Sequence, residues 1–550
     1  MGVSLTGVGG ATGVALGPAA RLDRPQHSSP VDLCADDALA RFAQAQHRAA
    51  AGLRELAAQF RNEGRADEAG IFDAQALLVE DDFLSDGVSA QVQQGVRLED
   101  ALDATVATMR ATLEALDDDY LRERAADMDA IGREIHTALR GGDDTPHLPP
   151  GAIIIADDLT PTQTAGLRGG VVAGFATASG GPTGHTAILA RSLGIPAAVG
   201  LGPQLLEIAD GTPLILDGSA ALLISEPSVA QQAEYRQRAD EQAQAIIRRA
   251  TLREQRGRLA DGTPVALWAN IGNPTEAEVA LANGAEGIGL FRTEFLFLDR
   301  DNAPGEDEQY EAYRQTLATM GARTVVVRTI DIGGDKPLAY LPMPHEENPF
   351  LGVRALRLCM QRPDLFQTQL RALLRAAVHG DLWIMLPMIA TPEDLAWGRA
   401  QLGIAAAALA EDGIAHRADP PLGIMIETPA AAITADVLAK DAAFFSIGSN
   451  DLSQYTMAVD RGNTTLAARY PHDSLAVLRM IAHAAAAARA ANIPIGVCGE
   501  LAGEPSMALT LVGLGINELS MVPVAIPAVK ERLAATTLAQ AQAAAEIARM

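Results

Sequence analysis

The runs LWIMLPM at 382–388, LGIMIET at 422–428 and FFSIGSN at 444–450 decide the fold. Each is a short apolar stretch closed by Pro, Glu or a Gly-Ser-Asn turn. It is too short for a typical helix and bounded as a buried strand is bounded. Working outward, the same signature precedes them in VALWANI (265–271), EGIGLF (286–291) and TVVVRT (324–329), and follows them in IPIGVCGE (493–500) and ELSMVP (518–523). Segments with helical spacing of apolar residues separate the runs. Eight strands alternating with helices over residues 264–550 match the count and size of a (β/α)8 TIM barrel. In such barrels catalytic groups gather at the carboxyl ends of the strands. Arg292, Arg328, Glu427, Asn450 with Asp451, and Cys498 with Glu500 all fall at or just after the end of a run.

Upstream, residues 227–258 are polar and charged nearly all round, which predicts an exposed connecting helix. Residues 148–225 switch between β-rich runs (AIIIA, VVAGF, PAAVG, PLILDG) and a helical stretch over 185–193, the pattern of a small α/β domain. From about 33 to 140 the chain is Pro-poor and rich in Ala, Leu, Gln and acidic residues at helical spacing, so an all-helical bundle is expected. Gly-Gly-Asp-Asp at 141–144 ends it. Residues 1–20 alternate Gly with Val, Leu and Ala, predicting a strand that pairs with something distant in sequence.

A length of 550 residues implies several domains. The net charge of −26 argues against a nucleic-acid binder or a protein lying on an anionic membrane, because both need a basic footprint. It would also repel an anionic substrate on average, so any phosphate site must be a local arginine cluster. Cys34, Cys359 and Cys498 lie far apart and predict no disulfide, which fits a reducing cytoplasm. The N-terminus does not read as a signal peptide, and no apolar run is long enough to insert in a membrane.

Four constellations carry chemistry. In GGPTGHTAILARSLGIPAAVG (180–200), His185 follows a Gly-rich turn at the start of a helix, where backbone amides and the helix dipole favour an anion. A largely neutral imidazole there is a nucleophile, with a phosphoryl group on it held by those amides. Arg292, Arg328, Arg354 and Arg461 offer planar guanidinium groups for carboxylate and phosphate oxygens. Glu427 and Asp451, at the ends of consecutive β runs, suit Mg²⁺, which takes one or two carboxylates together with substrate phosphate and water. Cys498 is either a small buried hydrophobe or, at a barrel mouth beside Glu500, a proton donor.

Gly-His-Thr at 184–186, followed by Ala-Arg at 190–191 and Gly-Ile-Pro at 194–196, resembles the phosphohistidine signature of phosphoenolpyruvate-utilising enzymes. RTEFLF, RTIDIGGDKP, ENPFLGVRALR, SIGSNDLSQYTMAVDRGN and VCGELAGE resemble, in order and spacing, the enzyme I family of the phosphoenolpyruvate-dependent sugar phosphotransferase system. The resemblance covers essentially the whole chain. Gly184 departs from it, since the family commonly has Ser before the histidine.

The resemblance implies a phosphohistidine α/β domain (1–32 and 141–226) with an inserted helical subdomain (33–140) that binds the carrier protein HPr. It further implies a linker helix (227–263) and a phosphoenolpyruvate-binding barrel (264–550) that forms a homodimer. His185 is then the phosphorylated residue, and Arg292, Arg328, Asn450, Asp451 and Arg461 bind phosphoenolpyruvate. Arg354 supports the developing enolate, Glu427 and Asp451 bind Mg²⁺, and Cys498 is the general acid that yields pyruvate. The α/β domain would swing about residues 219–263. Pyruvate phosphate dikinase and phosphoenolpyruvate synthase share these motifs but need an ATP-binding domain, for which the helical block offers no phosphate-cradling Gly loop. A signalling phosphocarrier without turnover is the alternative of another class. The site residues of the barrel are all present, which favours an enzyme, and the lack of an extra N-terminal sensory domain favours the sugar-uptake branch.

Overall fold

The computed structural model describes residues 3–22, 34–62, 66–115, 119–140, 149–167, 172–181, 184–298, 300–333, 338, 340–341, 343, 345–461, 463, 466 and 469–546. It divides into two compact units, Met1–Ala245 and Ile246–Met550.

The first unit is built on an eight-stranded sheet. Its strands are β1 (Ser4–Thr6), β2 (Gly9–Ala11), β3 (Val14–Arg21), β4 (Ala152–Ala156), β5 (Val172–Thr177), β6 (Ala197–Val199), β7 (Pro213–Asp217) and β8 (Leu222–Ser225), in the order β1-β8-β7-β3-β4-β5-β6-β2. The N-terminal segment, expected as one strand, is therefore three. β1 lies on one edge against β8, β2 lies on the opposite edge against β6, and β3 sits centrally between β7 and β4. Glycine permits these crossings. Gly13 turns at φ +137°, and a Cβ on Gly10 would fall 1.8 Å from the carbonyl oxygen of Ala197. The central AIIIA of β4 is buried on both faces, as a covered parallel strand must be.

Between β3 and β4 the chain forms five helices: α1 (Ala35–Asn62), α2 (Ala66–Val79), α3 (Asp82–Gln93), α4 (Leu98–Glu114) and α5 (Asp119–Leu139). Their common core of Phe42, Leu53, Phe72, Leu84, Leu102 and Ile135 also takes in Ala165 and Leu189 from the α/β part. Polar contacts reinforce that join. Arg133 of α5 lies 2.9 Å from Asp158, which accepts at 3.0 Å from the Thr186 hydroxyl. Two short helices follow, α6 (Pro161–Gly166) and α7 (His185–Leu193), and then the long α8 (Val229–Leu252). Tyr235 is the buried residue of α8, consistent with its polar sequence.

The second unit contains a closed, all-parallel barrel of β9 (Ala266–Ile271), β10 (Ile288–Arg292), β11 (Val325–Arg328), β12 (Leu382–Leu386), β13 (Leu422–Ile426), β14 (Phe445–Ile447), β15 (Ile495–Val497) and β16 (Glu518–Met521). All eight expected runs form strands. One face of each strand joins a large apolar core under the surrounding helices, including Leu267, Val327, Ile384, Ile424 and Leu519. The other face fills the barrel with Leu290, Val326, Met385, Met425, Phe444 and Cys498, against Trp268 and Trp383. Among the described residues no helix is long and apolar enough to cross a membrane.

Candidate active site

At the carboxyl ends of the barrel strands, polar side chains that would be costly to bury singly are buried together. Arg328 ends β11. Its guanidinium lies 2.9 Å from Glu294, in the turn after β10, and 3.1 Å from Asp331, three residues further along its own loop. Arg354 closes that loop. It donates through Nε and Nη2 to the two oxygens of Asp331 at 3.1 and 2.9 Å, and through Nη1 to the Tyr455 hydroxyl at 3.1 Å. The same Nη2 lies 3.3 Å from Asp451 Oδ2. Tyr455 is itself fixed by donating to the Phe350 carbonyl at 2.6 Å. Burial lowers the proton affinity of both guanidinium groups, but the surrounding carboxylates more than reverse this, so both stay charged.

The carboxylates come from the next loops. Glu427 follows β13 directly, and its Oε1 accepts from the Met388 amide at 2.6 Å. Asp451 lies in the first turn of the helix Ser449–Met457 after β14, with its Oδ1 3.4 Å from Arg461 Nη1. Burial, with Asp451 and Asp331 nearby, pushes Glu427 up to about 8, so this carboxyl resists ionisation unless a positive charge joins it. Six non-glycine residues among those described have positive φ, and three of them, Ala355, Met388 and Ala458, sit in these loops. Such strain is held where surrounding structure over-determines it, and functional sites are where it collects.

Beside them, Asn450 and Glu500 exchange hydrogen bonds of 3.0 Å, joining the loops after β14 and β15. Cys498 immediately follows β15 and is buried. Its amide donates to the Ile447 carbonyl at 3.0 Å, and its own carbonyl accepts from Asn270 at 2.8 Å. Burial pushes its thiol up to about 12, only partly offset by Ser446 and Arg328, so the thiol keeps its proton at neutral pH.

The structure thus brings together Arg328, Arg354, Glu427, Asp451 and Arg461, with Asn450 and Cys498 adjoining. Arg292 ends β10 but is exposed, with its guanidinium 5.2 Å from the centre of the Phe295 ring. Of the four arginines, only Arg292 and Arg328 stand at strand ends. Arg354 and Arg461 belong to the long loops after β11 and β14, whose folding back rather than strand position delivers them. His185 opens α7 in the first unit, capped by Gly184, and its side chain lies outside the described residues. Sequence reasoning missed Glu294, Asp331 and Tyr455. The first two had a signal, since an acid stands two or three residues after an arginine in both RTEFLF and RTIDIGGDKP.

Among the described residues no three His, Cys, Asp or Glu side chains converge as a complete metal cage. Two carboxylates alone fit a cation that keeps water and substrate oxygens as further ligands. Asp451 Oδ1 is buried with no hydrogen bond among the described residues, only the ion pair to Arg461 at 3.4 Å, and the raised Glu427 carboxyl beside it is one that a bound cation would help to ionise.

Family models match the chain in three stretches: the N-terminal part of phosphoenolpyruvate-utilising enzymes over residues 6–124, their mobile domain over 148–221, and their phosphoenolpyruvate-binding domain over 247–538. The barrel with its clustered arginines and carboxylates is accordingly that of a phosphoenolpyruvate-utilising enzyme. The phosphoenolpyruvate-protein phosphotransferase of Bacillus sp. (strain S) is 43% identical over 529 residues, covering 94% of this chain and 90% of that protein. That of Bacillus subtilis (strain 168) is 40% identical over 522 residues, covering 94% and 92%. A multiphosphoryl transfer protein of Xanthomonas campestris pv. campestris is 43% identical over 561 residues, covering 99% of this chain and 65% of its own length. The chain belongs to the phosphoenolpyruvate-protein phosphotransferase family, as its motifs implied, and is a transferase that carries out phosphoenolpyruvate-dependent phosphotransfer.

Proposed function

We propose that the chain moves the phosphoryl group of phosphoenolpyruvate to its own His185, releases pyruvate, and passes the group to the histidine of HPr, opening the bacterial sugar phosphotransferase system in the cytoplasm. The observation that carries this reading is the buried arginine pair, Arg328 and Arg354, held by Glu294 and Asp331 beside two further carboxylates and a protonated thiol.

The guanidinium groups of Arg328, Arg354, Arg292 and Arg461 take the phosphate and carboxylate of the substrate, with Asn450 and Asp451 completing its contacts. The prior pairing of Arg328 and Arg354 with Glu294 and Asp331 fixes those two in place, so little reorganisation of them is needed as charge shifts in the transition state. Arg354 faces the developing enolate. Glu427 and Asp451 would hold Mg²⁺, which when bound neutralises phosphoryl charge. Cys498 then gives its proton to the methylene carbon of enolpyruvate. The S–H bond breaks, a C–H bond forms, and pyruvate leaves. In the first unit, residues 1–32 and 141–226 carry His185, and the helical block 33–140 docks HPr. Residues 227–263 link this unit to the barrel, 264–550, which pairs with a second copy.

The test is incubation with phosphoenolpyruvate labelled in its phosphate, with Mg²⁺, followed by mapping of an acid-labile, base-stable label. Label on His185, lost in His185→Ala and chased onto HPr, is expected. Label at another residue would overturn the assignment.

A further inference from the structure

Inside the barrel, below the site, lies a polar group that the reaction as described leaves unused. Ser446, Gly496 and Glu518 stand in one row across β14, β15 and β16. Their chain neighbours Ile447, Val497 and Leu519 face the core beneath the helices, so the row faces the barrel interior. Cys498, two residues beyond Gly496, faces the same interior.

The Glu518 carboxyl lies over Gly496. A Cβ there would fall 2.7 Å from its Cδ and Oε2 and 2.8 Å from its Oε1. A Cβ on Gly289 of β10 would likewise fall 2.7 Å from Oε1 and 2.5 Å from the Ser520 hydroxyl. Two glycines therefore make a cradle that any larger residue would fill. Glu518 Oε1 and Ser446 Oγ are both closed to solvent; Glu518 Oε1 has no hydrogen-bond partner among the described residues, and Ser446 Oγ has only the Cys498 thiol beside it. The Glu518 carboxyl itself fills the space over Gly496, and closed-off polar atoms on one inner face are the kind of partners that an internal water satisfies. Asn270 fixes the rest of the interior, accepting from Ser520 at 2.6 Å while donating to the Cys498 carbonyl. Glu518 as a whole is only half-buried. It is the first residue of its strand, so its backbone lies at the amino-terminal end of the barrel, opposite the site.

We propose that Glu518 restores the proton of Cys498 after each turnover, through Ser446 and a bridging water, drawing on solvent at the far end of the barrel. The inference rests on Cys498 being the donor to enolpyruvate. Glu518 acts through that thiol and touches no substrate. After the thiol has protonated carbon, the thiolate takes a proton from the relay, the O–H bond of Glu518 breaks, and its carboxylate is reprotonated by solvent. One solvent proton is consumed per pyruvate, and no oxidant or co-reactant is needed. Proton transfer in this direction is downhill, because burial pushes Glu518 up to about 8 and the thiol to about 12. Glu518 faces Cys498, Ser446, Ser520 and Asn270. Among the described residues no charged side chain contributes to its shift, whereas Cys498 also feels Arg328 and Glu427.

The experiment is rapid-quench measurement of pyruvate in the full chain, with phosphoenolpyruvate, Mg²⁺ and HPr as phosphoryl acceptor. Glu518→Gln should form its first pyruvate per site at the wild-type rate, because the thiol starts protonated. Later turnovers should be slower by about 10–100-fold, and the decline of wild-type turnover above about pH 8 should vanish. Glu518→Asp should restore part of the lost rate, and Ser446→Ala should show the same burst, which decides the matter if Glu518→Gln does not fold. Wild-type steady-state turnover in both Glu518→Gln and Ser446→Ala, or equal slowing of first and later turnovers, would overturn the relay. Cys498→Ala run alongside separates the two assignments. A wild-type first turnover there would remove the thiol as donor and the relay with it. A slow first turnover there supports the thiol, and the bursts of Glu518→Gln and Ser446→Ala then decide the relay.

Discussion

Asp331→Asn tests whether the arginine cluster is positioned by its carboxylates. The side chain keeps its shape, loses its charge, and turns one acceptor into a donor facing guanidinium. Asp331 meets Arg354 through two bonds of 3.1 and 2.9 Å and Arg328 at 3.1 Å. Removing one partner of a buried pair costs about 3–5 kcal/mol when the other charge is left alone. Here neither arginine is stranded, because Arg328 keeps Glu294 at 2.9 Å and Arg354 keeps Asp451 at 3.3 Å. The loss of barrel stability should therefore be nearer 2 kcal/mol, roughly half the usual figure, read from urea unfolding. The effect on catalysis should be larger. Both guanidinium groups gain freedom, and misplacement by about 1 Å costs roughly 100-fold, or about 2.7 kcal/mol in the barrier. Pyruvate formation measured against phosphoenolpyruvate concentration should show kcat/KM reduced by about that factor. A value within about twofold of wild type, where ordinary surface changes fall, would show that Asp331 does not place these arginines.

Glu427→Ala should shift the Mg²⁺ titration of activity to higher concentration and lower kcat by about 100-fold or more, with little change in unfolding. An unaltered titration would exclude Glu427 as a ligand. Cys498→Ser should leave KM for phosphoenolpyruvate nearly unchanged while kcat for pyruvate falls, because a hydroxyl is a much weaker acid than a thiol. Equal kcat would return Cys498 to a packing role. Glu518 stays neutral in the fold while the unfolded chain ionises it, so wild type should lose stability relative to Glu518→Gln as pH rises from about 4.5 to about 8. The difference should be on the order of 1 kcal/mol per pH unit across that window, measured by denaturation at several pH values.

The barrel was legible because each strand is a closed apolar run with its own terminator, and all eight expected runs form strands. Arg328 and Glu427 were legible for the same reason, since a charged residue at the end of an apolar run has only the barrel mouth to occupy. The N-terminal segment was not. Its Gly-Val-Leu-Ala alternation suits any edge, and the split of one expected strand among three sheet positions depends on glycine crossings that composition does not register. Arg354 and Arg461 resisted placement because long loops deliver them. Glu518 was hidden for another reason. It opens ELSMVP as an ordinary acidic residue, and only the register that sets it beside Gly496 shows what it faces.

The charge of the site argues for a cation whose binding depends on pH. Arg328, Arg354 and Arg461, with the exposed Arg292 at the rim, set four positive charges against Glu294, Asp331, Glu427 and Asp451, so even with Arg292 counted the site is no more than neutral when every acid is ionised. It does not attract an anion by surplus charge, and the chain as a whole, at −26, opposes one. A phosphate brings close to two further negative charges. With Glu427 pushed up to about 8, part of the balance is met at neutral pH by a proton that a bound cation must displace. Cation affinity should therefore weaken as pH falls below about 8, by up to roughly tenfold per unit, and Glu427→Gln should flatten that dependence. Substrate should strengthen cation binding by the same factor that the cation strengthens substrate binding. Calorimetric titration of Mg²⁺ at pH 6.5 and 8.5, with and without a non-reacting phosphoenolpyruvate analogue, measures all of these. Affinity independent of pH in the wild-type chain would mean that Glu427 already ionises without the metal and that the carboxylate pair is not its site.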